Sequence, residues 1–178
     1  RSVGVRQGLA PCAVGGLRAD AAAGTFVVPD QVVDRTWGRA HTIWDAIGPV
    51  VHTSFADPYC PRGRAAFLAA NPAAVDGGTL VVINGPRFST RAESQWHAAA
   101  GWSVVGMTGM PEASIARDLA MCFSAVCMVT DADAGVEGPG VSHAEVLRVF
   151  AGNIERLKAM LLDVVGALPE PEADDTAT

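Results

Sequence analysis

Asn84-Gly-Pro-Arg-Phe-Ser-Thr-Arg-Ala-Glu-Ser94 follows directly on the apolar run Thr79 to Ile83, a strand passing through a polar loop into a helix. Val104-Val-Gly-Met-Thr-Gly-Met-Pro-Glu112 and Val129-Thr-Asp-Ala-Asp133 have the same form, a short apolar run that ends in a polar or glycine-rich signature. Short apolar runs bounded by turn residues and separated by helical patterns predict an α/β protein with a buried sheet. In such sheets ligands settle beyond the carboxyl ends of strands, so three signatures at three strand ends predict one site.

Toward the N-terminus, Gln7 to Val14 and Thr25 to Pro29 read as strands, with Gly15-Gly16 as a tight bend between them. Val50 to Ser54 reads as a short strand, Pro61 to Ala70 as a helix, and Asp76-Gly-Gly as the turn into Thr79 to Ile83. Thr90 with Glu93 three residues later forms a capping-box pattern for a helix through Ala100, and Ser142 with Glu145 does the same for the last helix. Ser103 to Met107 and Phe123 to Thr130 are strands that flank a helix opened by Pro111. In the last helix Val146, Val149, Phe150, Ile154, Leu157, Leu161, Val164 and Val165 recur at three- and four-residue steps, a single apolar stripe directed at the sheet. Residues 1–168 are expected to form one domain, and 169–178 a solvated, disordered acidic tail.

Composition bounds the function. The chain has 178 residues, 49% of them hydrophobic, enough to bury a substantial core. A formal charge of −6 with no basic run argues against nucleic-acid or anionic-membrane partners. No apolar run reaches the length of a membrane span, and no signal segment opens the chain, which points to the cytoplasm. Four cysteines, at positions 12, 60, 122 and 127, form no CxxC pair and read as reduced thiols rather than a disulfide or a zinc site.

The chemistry lies just past the strand ends. Phe88 offers an aromatic face, Met107 a thioether, Thr108 a hydroxyl, and Asp131 and Asp133 two carboxylates. That set suits a ligand with a ring to stack, a sugar to cover and a polar edge to read. Each residue also has a plainer reading, as core, gap-filler, strand-end cap or turn former. Glu93 is expected to cap its helix. Arg35, Arg87 and Arg91 are expected to tie loops together with Asp30, Asp34 or Asp57, and the four tryptophans to serve packing or subunit contacts.

Gly85-Pro-Arg-Phe-Ser-Thr-Arg-Ala-Glu-Ser94, Gly106-Met-Thr-Gly-Met-Pro-Glu112 and Thr130-Asp-Ala-Asp133 resemble the hallmark segments of the methylthioadenosine phosphorylase branch of the trimeric purine nucleoside phosphorylases. The similarity runs from Leu9 to Leu168, through Cys12-Ala-Val-Gly-Gly-Leu17, Val28 to Thr36 and His52 to Pro61. It implies a three-layer fold, a central mixed sheet flanked by helices, here opening partway through the family's domain as if truncated at the N-terminus. It also implies a homotrimer, phosphate as co-substrate, no cofactor or metal, and phosphorolysis of 5′-methylthioadenosine to adenine and 5-methylthioribose 1-phosphate. Phe88 would stack on the purine, Met107 would pack under the ribose, and Thr108 with the Cys12-Ala13 backbone would touch phosphate. His143, Val146 and Leu147 are counted among the substrate-binding residues, and His52 would reach into a neighbouring subunit's pocket.

Asp131 is the expected general acid. Loss of a purine places negative charge on the departing base, and a protonated carboxyl at N7 neutralises it. Burial and the nearby charge of Asp133 would both raise its pKa, while an ionised partner accepts from a 6-amino group. The 6-oxopurine branch, the next alternative, carries asparagine at the Asp131 position and glutamate at the Ser89 position. His143 and Gly106 depart from the methylthioadenosine pattern toward enzymes that bind a 5′-hydroxyl, so adenosine is expected to compete. Nothing before Arg1 supplies the family's glycine-rich phosphate loop or Arg-His pair, so the other alternative is a catalytically silent purine-binding remnant or assembly subunit.

Overall fold

A computed structural model describes residues 2–45, 48, 50–133 and 142–169, with the side chain of Glu145 outside the described set. Seven strands form one mixed sheet. In chain order the elements are β1 (Gln7–Gly16), β2 (Phe26–Val28), β3 (Gln31–Arg35), α1 (Pro61–Ala70), β4 (Val75–Asp76), β5 (Thr79–Ile83), α2 (Arg91–Ala99), β6 (Val104–Gly106), α3 (Glu112–Asp118), β7 (Cys122–Ala132) and α4 (His143–Ala167). The order across the sheet is β3-β5-β6-β1-β7-β2-β4. β1 and β7 run parallel at its centre, β5 is parallel to β3 and β6, and β6 is antiparallel to β1.

Alternation along β7 divides the core into layers, because successive side chains of a strand point to opposite faces. Phe123, Ala125, Cys127 and Val129 pack with Ala113 and Ala116 of α3. Val126 and Met128 pack with Phe67 of α1 and with Leu157, Met160 and Val164 of α4. Val81 and Val105 form a third cluster with Leu17, against Ala98 and Trp102. Helices therefore cover both faces of the sheet.

The elements read from the sequence recur with small shifts in their bounds, and the differences have physical causes. Gly15-Gly16 is the end of β1 rather than a bend; the chain turns only after Leu17. Residues 50–54 form no strand: the Thr53 hydroxyl donates to Asp118, and among the described residues no strand pairs with the segment. β3 has no counterpart in the reading above, since Gln31-Val-Val-Asp-Arg35 is an edge strand whose pattern is too polar to stand out. On α4 the stripe holds through Val164, whereas Val165 is 64% exposed because it falls outside the buried arc.

Cys60 and Cys122 are joined in a disulfide, contrary to the expectation of four free thiols. They are 62 residues apart, and no local spacing signals the pair; the sheet brings the start of α1 to the start of β7. Cys12 and Cys127 remain free and buried as register partners on adjacent strands. The Cys12 thiol and burial hold Cys127 well above the ordinary thiol value.

Thr90 accepts from the Glu93 N–H, and the Glu93 carboxylate accepts from the Thr90 N–H, as the capping box predicts. The second capping box, Ser142 with Glu145, involves a side chain outside the described residues. Of the predicted tail, Pro169 lies within the described residues, where its carbonyl accepts from Gln7 Nε2 at 2.7 Å, and 170–178 lie outside them.

Candidate active site

Beyond the ends of β1, β5, β6 and β7 lies a cavity of about 200 Å³. Seven of the expected site residues line it: Ala13, Phe88, Met107, Thr108, Asp131, Asp133 and Val146. Cys12 is buried just behind the wall, its thiol against the Thr108 hydroxyl and the Cys127 thiol. His52, His143 and Leu147 do not line the cavity. His52 sits at a separate hollow with Ser114, Arg117 and Asp118, and His143 and Leu147 are exposed on the first turns of α4. The structure also adds Gly15, Ser89 and Thr130 to the lining. Larger hollows exist, one of about 660 Å³ beside the end of α4 and one of about 460 Å³ beside the disulfide. Neither joins an aromatic face to paired carboxyls at converging strand ends.

A β-bulge aims the carboxyls. The β1–β7 register pairs Val14 with Val129 but Gly15 with Asp131, so Thr130 is the extra residue. Without it, Val129 and Asp131 would share a face; a one-residue slip moves a side chain to the other side of a sheet. Val129 packs in the α3 cluster, whereas Asp131 Oδ2 lies 3.3 Å from where a Cβ on Gly15 would stand, as do Asp133 Cβ and Val105 Cγ1. Gly15 is thus the floor on which both aspartates rest.

Each carboxyl has a hydroxyl partner. Thr130 Oγ1 lies 2.7 Å from Asp131 Oδ1 and 3.2 Å from the Val14 carbonyl oxygen. One hydrogen serves two acceptors: it goes to Asp131 when that group is ionised, and to Val14 when Asp131 carries a proton and donates to Thr130. Asp133 is 2% exposed; its N–H donates to the Gly16 carbonyl, and its Oδ2 meets the hydroxyl of Ser94.

The loops that carry Phe88 and Met107 are gathered by a residue the sequence reading did not single out. Arg39 donates to the carbonyls of Asn84 and Met107, each at 3.0 Å, and to that of Met110. Gly85, at φ +65°, leaves the space that the Met107 sulfur fills, where a Cβ would otherwise stand. No short-range signal marks Arg39, since its partners are 45 to 71 residues away.

Arg87 does not tie loops together through Asp30, Asp34 or Asp57. It forms a two-pronged pair with Glu93, and those bonds hold the Glu93 carboxyl down to about 2. Arg35 stacks over Trp96 at 4.2 Å, and Asp34 pairs with His41 at 3.1 Å. Asp118 accepts from Thr42, Ile43 and Thr53, and these bonds outweigh burial to lower its pKa, fixing the loop that carries His52.

Fold and site together define an α/β protein with a cavity at the carboxyl ends of a mixed sheet, lined by an aromatic face, a thioether and two carboxyls. A family model described as the phosphorylase superfamily matches residues 2–166. The chain belongs to the phosphorylase superfamily. It is 60% identical to a purine nucleoside phosphorylase of Streptomyces coelicolor, over 95% of this chain and 65% of the relative. It is 57% identical to an S-methyl-5′-thioadenosine phosphorylase of Mycobacterium tuberculosis, over 90% of this chain and 60% of the relative. The chain thus spans slightly less than two thirds of the length of these curated relatives. Among solved structures, methylthioadenosine phosphorylase from Schistosoma mansoni in complex with adenine superposes with a TM-score of 0.91 at 32% identity, covering 99% of this chain and 70% of the other.

Proposed function

We propose that the whole protein catalyses phosphorolysis of 5′-methylthioadenosine, releasing adenine and 5-methylthioribose 1-phosphate. The observation that carries this reading is the convergence of Asp131 and Asp133 on one cavity with Phe88, Met107 and Thr108. Relatives and structural neighbours named as methylthioadenosine phosphorylases support it.

In this reading the purine stacks on Phe88 and the sugar lies over Met107. Phosphate, held by Thr108 and the Cys12-Ala13 backbone, attacks the anomeric carbon. As the glycosidic bond breaks, its electron pair moves into the purine ring, and Asp131 donates its proton to N7 so that the base leaves neutral. Asp133 accepts from the 6-amino group, which selects adenine over a 6-oxopurine whose edge presents an acceptor. Thr130 redirects its hydrogen to the newly ionised Asp131. No cofactor is required by this chemistry.

A homotrimer in the cytoplasm belongs to the same reading, with His52 supplied to a neighbour's site; its position away from this chain's own cavity is compatible with that. Adenosine is a second candidate substrate. The observation that favours it is a polar His143 on the first turn of α4, beside Val146, which does line the cavity. Among the described residues no helix is long and apolar enough to cross a membrane.

Adenine release from methylthioadenosine, and separately from adenosine, tests the proposal when measured with and without phosphate. Phosphate-dependent release from the first substrate is the expected result. Release that ignores phosphate, or none from either nucleoside by the whole protein, would overturn it.

A further inference from the structure

We infer that Ser94 is a positioning residue for Asp133 and thereby sets which purine edge the site accepts, an inference that rests on the reading above that Asp133 faces the base. Ser94 lies on α2 and is 0% exposed. Its Oγ stands 3.1 Å from the Thr90 carbonyl oxygen and in short contact with Asp133 Oδ2. The Thr90 carbonyl already accepts from the Ser94 backbone N–H at 3.0 Å. That carbonyl keeps a second lone pair, so the serine hydrogen has two acceptors within reach, the Thr90 carbonyl and the Asp133 carboxyl.

Consider both protonation states of Asp133. When it is ionised, the Ser94 hydroxyl donates to Oδ2, and Oδ1 is left with lone pairs only. When Oδ2 carries a proton, that proton goes to Ser94 Oγ, the hydroxyl turns to Thr90, and Oδ1 is again an acceptor. The serine thus fixes Oδ1 as an acceptor in either state. A 6-amino group can donate to it, whereas a 6-oxo group meets it lone pair against lone pair. With the serine hydroxyl gone, Asp133, at 2% exposure, has lost both the donor to Oδ2 and the oxygen that takes the Oδ2 proton in the protonated state. It can then turn its O–H toward the cavity and donate to a 6-oxo group.

A serine four residues along a helix from a carbonyl can also be a plain helical back-bond with no bearing on ligands. The two roles separate in a selectivity ratio. Calorimetric binding of free adenine and free hypoxanthine to the purified protein needs neither phosphate nor turnover. Wild type is expected to prefer adenine, Ser94→Ala to weaken adenine about tenfold and narrow the adenine-to-hypoxanthine ratio by a similar factor, and Ser94→Cys, similar in size with a weaker donor, to fall between them. Ser94→Cys also carries the test should Ser94→Ala fail to fold. Asp133→Ala is the control. If Asp133→Ala collapses the preference and neither Ser94 variant moves it, the positioning role is wrong while the base-edge reading stands. If Asp133→Ala leaves the preference intact, both fall together.

Discussion

Asp131 Oδ2 lies 3.3 Å from the position that a Cβ on Gly15 would occupy, and the two residues are register partners across a bulge. A methyl group there would press on the Asp131 carboxylate, on Asp133 Cβ and on Val105 Cγ1, all at 3.3 Å. The carboxylate is the member best able to yield. Gly15→Ala is therefore expected to lower kcat/KM by about tenfold or more, since small misplacements of a reacting group are costly. Stability should change by only about 1 kcal/mol, because reduced freedom of the unfolded chain offsets part of the crowding. Steady-state kinetics beside a thermal melt would check it, and an intact rate would mean that Asp131 tolerates displacement.

Asp131→Asn keeps the shape and hydrogen-bonding reach of the side chain but cannot give up a proton. Phosphorolysis is expected to fall by roughly 10²- to 10⁴-fold, the usual contribution of general acid catalysis. The melting temperature should stay close to wild type. Unchanged turnover would remove the acid role from Asp131.

Arg39 joins three carbonyls from the loops after β5 and β6 with one half-buried guanidinium. Arg39→Met retains the aliphatic stem and leaves those carbonyls without their donor, at a cost of roughly 1–3 kcal/mol. The loops it gathers carry Phe88 and Met107, so nucleoside affinity should weaken as well. Denaturant unfolding together with KM would show both effects, and loss of stability alone would limit Arg39 to scaffolding.

His97 is buried against Trp96 and Trp102, and burial lowers its pKa below the ordinary histidine value; Asp133 and Glu93 oppose this, and Arg35 adds to it. The folded protein therefore prefers neutral His97, whereas the unfolded chain binds its proton near pH 6.5. This contribution is fully present above about pH 6.5 and is lost as pH falls through the lower folded value, with a slope of at most about 1.4 kcal/mol per pH unit. His97→Phe should flatten stability between pH 7 and 5. A slope identical to wild type would place the titration elsewhere.

The Cys60–Cys122 bridge closes a loop of 62 residues, and loop-closure entropy puts its contribution in the range of about 2–4 kcal/mol. Reduction, or Cys60→Ser with Cys122→Ser, should lower the melting temperature without altering Cys12 and Cys127, which are buried on neighbouring strands. Thiol counting under denaturing conditions should give two free thiols in the oxidised protein and four after reduction. Four before reduction would contradict the bridge.

The alternation of strands and helices, the Thr90–Glu93 cap and the three strand-end signatures are readable along the chain alone, because hydrophobic period, capping and turn chemistry are local properties. Phe88, Met107, Thr108, Asp131 and Asp133 are legible for the same reason: each lies at or within a few residues of the end of an apolar run. The remaining features arise from contacts between distant segments. The bulge at Thr130, which sends Asp131 to the face opposite Val129, depends on the register between β1 and β7. Arg39 finds its carbonyls, Ser94 finds Asp133, and Cys60 finds Cys122 across separations of 39 to 71 residues. Such contacts are set by which strand ends the sheet brings together, and no spacing along the chain encodes them.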